Sequence, residues 1–289
     1  MSDIVEKITE NQPLVEVKNL KKYFDISMGM FKTRPLKAVD DVSFTIERGK
    51  TLGIVGESGC GKTTTGRSIL RLLEPTAGEV YFDGVNVTKL NRRELEKMRQ
   101  KMQIIFQDPF SSLNPRLTLC QTIEEVLKLT GEYRDSDARF RRVLELMDTV
   151  GLDRRLINTF PHEMDGGRRQ RLGIARALAI NPSFIVCDEP VSALDVSIQA
   201  QILNLMRELQ RELNLTYIFI THDLSVVNYI SDDIAVMYMG RLIEKAATEE
   251  LFSNPVHPIY QGIAFRASGP QHPQPGAENR HQGRNHIAY

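Results

Sequence analysis

Residues Gly56-Glu57-Ser58-Gly59-Cys60-Gly61-Lys62-Thr63 spell G-x-x-x-x-G-K-T, and this octet constrains the chain more than any other stretch. The pattern needs a strand before it and a helix after it. Thr51-Leu52-Gly53-Ile54-Val55 is an apolar run that reads as a buried strand, and Thr64 to Leu73 reads as a helix. In that context the glycines let the backbone curl, so that successive N–H groups point inward at phosphate oxygens beside the positive end of a helix. Lys62 is expected to reach the β- and γ-phosphates of a nucleoside triphosphate, and the Thr63 hydroxyl to ligate Mg²⁺. Gly56, Ser58, Gly59, Cys60, Gly61 and Thr64 complete the expected nucleotide-contacting set.

Three further apolar runs end in groups that suit phosphate chemistry. Phe184 to Cys187 leads into Asp188-Glu189, the pattern of a Walker B strand. Asp188 is expected to hold Mg²⁺, and Glu189 to position or polarise the attacking water. Met102 to Phe106 delivers Gln107, whose amide oxygen suits Mg²⁺ or its water. Thr216 to Thr221 delivers His222, which can hydrogen-bond a γ-phosphate. In open α/β sheets ligands bind outside the carboxyl ends of strands, so four strand ends are expected to converge on one triphosphate.

The flanking sequence has other rhythms. Leu14–Leu20 and Ala38–Ile46 alternate apolar with polar residues, so an antiparallel β region comes first, with 27–35 a loop. Tyr23 and Phe24 stand side by side there; either could stack on adenine, or both could simply pack on the β face. Asp83-Gly84 marks a tight hairpin. Residues 122–152 are helical in period and read as a helical insertion. Asp165 occupies an N-cap position before a helix running to about Ile180.

A formal net charge of +0 excludes wholesale electrostatic binding to nucleic acid or anionic lipid. Three scattered cysteines do not make a disulfide framework and fit a reducing cytosol. No apolar run reaches the length of a membrane span, and residues 1–7 lack the apolar core of a signal peptide. A membrane role therefore has to be played through a partner.

Taken together, the phosphate loop, the Gln107 segment, Met164 to Gln170, the Walker B strand, Ser192-Ala193-Leu194-Asp195 and His222 resemble the nucleotide-binding subunit of an ATP-binding-cassette transporter, over about Leu14 to Tyr260. Gly56 to Lys62, Phe106 to Arg116 and Asn254 to Tyr260 resemble the oligopeptide, dipeptide and nickel importer subfamily. The resemblance implies an α/β fold: a P-loop NTPase core with an N-terminal antiparallel β subdomain and a helical signature subdomain. It implies one domain over 14–262, with the helical part at about 110–172. It implies an ATPase with ATP and Mg²⁺, with Glu189, His222 and Gln107 as catalytic residues and Thr63, Gln107 and Asp188 around the metal. It also implies a second nucleotide-binding subunit, two membrane permeases and, indirectly, an extracytoplasmic solute-binding protein. The expected location is the cytoplasmic face of the membrane, with no nucleic acid. A soluble cassette ATPase outside any transporter is the alternative; one compact cassette without internal repeat argues against it. The cargo, whether peptide, oligosaccharide or nickel, is not legible.

Two departures stand out. The family signature is Leu-Ser-Gly-Gly-Gln, whereas this chain has Met164-Asp165-Gly166-Gly167-Arg168. The signature serine faces the γ-phosphate bound to the partner subunit, so Asp165, Gly166 and Gly167 are expected at a partner's nucleotide, with a carboxylate in place of the hydroxyl. The working unit is then expected to be an asymmetric heterodimer. No cysteine follows Cys187, so no iron–sulfur cluster is expected. Residues 263–289 are poor in aliphatics and read as a disordered tail.

Overall fold

The computed structural model describes residues 12–27 and 33–253. The expected tail and the subfamily-like segment 254–260 lie outside the described residues.

Strands β1 (Val15–Ser27), β2 (Thr33–Ile46) and β3 (Thr51–Gly56) come first, followed by helix α1 (Lys62–Ile69). β1 and β2 pair antiparallel and run further towards each other than alternation alone indicated. β4 (Ala77–Phe82) and β5 (Val85–Asn86) flank the Asp83-Gly84 turn, both of whose residues have the positive φ a two-residue hairpin needs. Among the described residues these strands form one antiparallel sheet in the order β2-β1-β4-β5.

The helix after the phosphate loop is shorter than expected, ending at Ile69. Arg71 takes φ 53°, and its guanidinium donates to the carbonyls of Val87 and Leu90 while also bonding Glu74. Those bonds fix the chain away from the helical path.

Helix α2 (Arg92–Lys101), with an Asn91–Glu94 capping box, leads into β6 (Met102–Ile105). One turn, α3 (Pro109–Ser112), follows. The segment expected to be helical divides into α4 (Leu119–Thr130) and α5 (Ser136–Thr149), broken at Gly131, which has φ 71°. Then come α6 (Gly166–Leu178), β7 (Phe184–Asp188), α7 (Val196–Leu213), β8 (Thr216–Ile220), α8 (Leu224–Ile230), β9 (Asp233–Tyr238), β10 (Arg241–Ala247) and α9 (Thr248–Ser253).

The second sheet runs β10-β9-β3-β8-β7-β6. Its central strands are parallel, and β3, β7 and β8 are buried along their whole length. That is why they read as unbroken apolar runs rather than alternating ones. One core lies between this sheet and the antiparallel one, holding Val15, Leu20, Ile54, Phe82 and Phe184; Phe82 and Phe184 meet ring to ring at 6.1 Å. A second core joins the other face to α4–α7 through Leu119, Ile123, Leu146, Leu172 and Met206. No described helix is long and apolar enough to cross a membrane.

Candidate functional site

Parallel pairing of β3, β8, β7 and β6 sets their carboxyl ends side by side, so residues from four distant stretches meet. A cleft of about 530 Å³ opens there. Ser58, Gly59, Gly61, Lys62, Thr63 and Thr64 form its floor, with Gln107, Glu189 and His222 on one side and Phe24, Leu36 and Ala38 on the other.

The loop holds itself curled. Lys62 is buried and donates to the carbonyls of Gly56 at 2.8 Å and Glu57 at 2.9 Å; its remaining neighbour is the Cys60 sulfur at 3.9 Å. An ammonium has three protons and sulfur is a weak acceptor, so a phosphate oxygen can take over the third bond from Cys60. Gly61 has φ 106°, and a Cβ there would lie 2.1 Å from the carbonyl oxygen of Ala38, so the loop can lie this close to β2 only with glycine. Burial raises the Cys60 thiol above its ordinary value, which keeps it protonated beneath the loop.

Thr63 donates its hydroxyl to Asp188 at 2.7 Å, and Arg67, one turn along α1, reaches the other oxygen of Asp188 at 3.3 Å. Asp188 is 1% exposed. Arg67 carried no recognisable motif, but its place one turn beyond Thr63 puts it on the same helix face.

Glu189 has φ 47°, an uncommon conformation for a residue other than glycine. Its backbone N–H is anchored to the carbonyl of Ile220 at 2.9 Å. The side chain turns into the cleft, where the Gln107 amide donates to it at 3.1 Å and His222 Nδ1 lies 3.4 Å away. A carboxylate, an amide and an imidazole thus surround one small volume beside the Thr63–Asp188 pair. That arrangement can orient a water toward a phosphorus held over the loop.

The two adjacent aromatics part company. Phe24 lines the cleft and is partnered across the sheet by Leu36, with Lys22 Nζ 5.0 Å from the centroid of its ring. Tyr23 points elsewhere and hydrogen-bonds Asp40 through its hydroxyl. Leu36 was missed because its segment read as the edge of a loop.

Asp165, Gly166 and Gly167 do not line this cleft. They begin α6, where the Asp165 carboxylate accepts from the backbone N–H of Arg168.

A family model described as "ABC transporter" matches residues 39–192. The chain is 56% identical over 253 residues to the oligopeptide transport ATP-binding protein OppF of Bacillus subtilis, covering 87% of this chain and 81% of that protein. It is 49% identical over 261 residues to the dipeptide transport ATP-binding protein DppF of Haemophilus influenzae, covering 90% and 80%. Among solved structures it resembles the dimeric ATP-binding cassette MJ0796 in a post-hydrolysis state bound to ADP and Pi. The TM-score is 0.72 at 32% identity, over 81% of this chain and 98% of that one. It also resembles CbiO1 of Clostridium perfringens, part of the transporter complex CbiONQ, with a TM-score of 0.71 at 27% identity, over 84% and 92%.

Proposed function

The chain belongs to the ABC transporter family, and from that we propose that it is the ATP-hydrolysing subunit of a peptide importer. The observation that carries the reading is the cluster at the strand ends: Thr63 on Asp188 at 2.7 Å, beside Glu189 held between Gln107 and His222.

In this reading the phosphate loop receives the triphosphate through its N–H groups and the Lys62 proton that otherwise goes to the Cys60 sulfur. Phe24 and Leu36 form the apolar wall for the base. Thr63, Asp188 and Gln107 offer hard oxygen donors, the kind Mg²⁺ takes. The donor set fits, since Thr63 and Asp188 already touch and, among the described residues, the buried Asp188 carboxylate pairs with the single guanidinium of Arg67. When bound, Mg²⁺ neutralises developing charge on the phosphates. Glu189 would take a proton from the attacking water as the water oxygen bonds the γ-phosphorus and the bridging P–O bond to ADP breaks, while His222 steadies the γ-phosphate side of the cleft.

Partners follow from the same reading. The relatives named above are peptide-transport ATP-binding proteins, and one structural neighbour is dimeric. We take this chain to pair with a second nucleotide-binding subunit and to serve membrane permeases from the cytoplasmic face. An apolar groove of about 680 Å³ between α2, β6 and α4 suits a permease segment. Phe106, Val126 and the 78% exposed Leu129 line it, and Phe106 adjoins Gln107. Arg93, Glu96, Lys97 and Arg99 of α2 border these apolar residues, so a segment with apolar and polar faces would fit. Leu129→Asp is expected to block capture of the permeases while leaving ATP affinity intact.

The functional test is reconstitution with permeases and solute-binding protein. ATP turnover should rise with peptide-loaded binding protein and stop on chelation of divalent cations. Turnover that responds to nucleic acid and ignores permeases would favour a soluble cassette instead.

A further inference from the structure

The base wall and the phosphate loop sit on different sheets. Phe24 and Leu36 are cross-strand partners in the antiparallel sheet, whereas the loop leaves the central strand of the parallel one. A nucleotide that touches both needs the two held at a fixed separation.

One buried side chain spans that junction. Asp40 of β2 has a side chain 8% exposed. It accepts the hydroxyl of Tyr23, the residue next to Phe24. Its other oxygen accepts from Arg241, the first residue of β10, at 2.9 Å, and from Lys37 at 3.4 Å. The Asp40 backbone N–H donates to the carbonyl of Gly240 at 2.7 Å, and the Gly240 N–H donates to the carbonyl of Cys60 within the loop at 2.9 Å. Gly240 has φ 80°, and a Cβ there would lie 2.7 Å from the carbonyl oxygen of Lys37, so the β9–β10 turn is pressed against β2.

We propose that Asp40 is a positioning residue for the nucleotide: by tying Tyr23 of β1 and Arg241 of β10 to one buried carboxylate, it sets the distance from the Phe24–Leu36 wall to the phosphate loop. This rests on the nucleotide-binding reading above. The Arg241 partner is two-thirds exposed, so the stability gained from this pair is modest. What the Asp40 carboxylate does well is hold several donors at short, charge-assisted distances. The loop has supports of its own in Lys62 and the Thr65 N–H bond to Gly61. Loss of the tether should therefore displace the wall and leave the loop in place.

The test is calorimetric binding of MgATP and of magnesium tripolyphosphate, which has no base, to the full chain. Asp40→Asn keeps the shape and removes the charge. Tyr23→Phe keeps the ring and removes the hydroxyl. Arg241→Met acts from outside the cleft. MgATP affinity should fall by up to about tenfold in Asp40→Asn, the scale of a lost aromatic contact, and by less in the other two. Tripolyphosphate affinity should be unchanged in all three. Unchanged MgATP affinity overturns the proposal, as do equal losses for both ligands. If Asp40→Asn does not fold, Tyr23→Phe and Arg241→Met decide by the same criterion. Failure of the wild-type chain to bind MgATP would instead overturn the nucleotide reading beneath it.

Discussion

Asp165 accepts the backbone proton of Arg168 at 2.8 Å, and its second oxygen lies 3.3 Å from Arg168 Nε, so the carboxylate is folded back onto its own helix. Both groups stay more than half exposed, so the pair screens the charge without removing it. Where a family signature offers a hydroxyl to the partner's nucleotide, this chain offers a capped carboxylate beside a guanidinium.

From this placement we propose an asymmetric dimer of nucleotide-binding subunits. The site built on Lys62, Glu189 and His222 lacks nothing of its own and needs only a normal signature from its partner. The opposite site receives Asp165. In the assembled transporter, Glu189→Gln is expected to remove most ATP turnover, and the equivalent change in the partner to leave most of it. The reverse pattern contradicts the asymmetry.

Phe24, not Tyr23, faces the cleft. Phe24→Ala should weaken ATP binding by about 1 kcal/mol, the scale of an aromatic stacking contact. Leucine at position 24 should recover only the part due to apolar burial. Equal ATP affinity in wild type and Phe24→Ala would mean that the ring serves β packing alone.

Asp40 also gives a pH signature. The Tyr23 hydroxyl, then the Arg241 guanidinium, hold its carboxyl down to about 2 from an ordinary 3.8. A carboxyl lowered on folding contributes stability above its unfolded value and loses it as pH falls through its folded value. The melting-temperature gap between wild type and Asp40→Asn should be full near neutrality and close between pH 3.8 and about 2. A gap constant down to pH 2 would show that the charge on Asp40 does not matter to folding.

The phosphate loop and the strand-end groups were legible because each is local. Gly56 to Thr63 is contiguous, and Asp188-Glu189 and His222 directly follow apolar runs. The choice between Tyr23 and Phe24 was not legible. Pairing of β1 with β2 shifts register between Val17 and Leu20, between Leu20 and Lys22, and again between Lys22 and Tyr23. Each shift disturbs the alternation from which a face would be read. Asp40 was hidden for a different reason: its partner Arg241 is 201 residues away, and no local pattern links the two. The early stop of α1 depended likewise on carbonyls at Val87 and Leu90, which side-chain pattern does not reveal.

ATP hydrolysis by this cleft is tested most directly by steady-state phosphate release from the reconstituted complex carrying Lys62→Ala. Lys62 both curls the loop and holds one proton for phosphate, so turnover at this site should fall at least about a hundredfold. Turnover equal to wild type in that complex would contradict the assignment of the cleft.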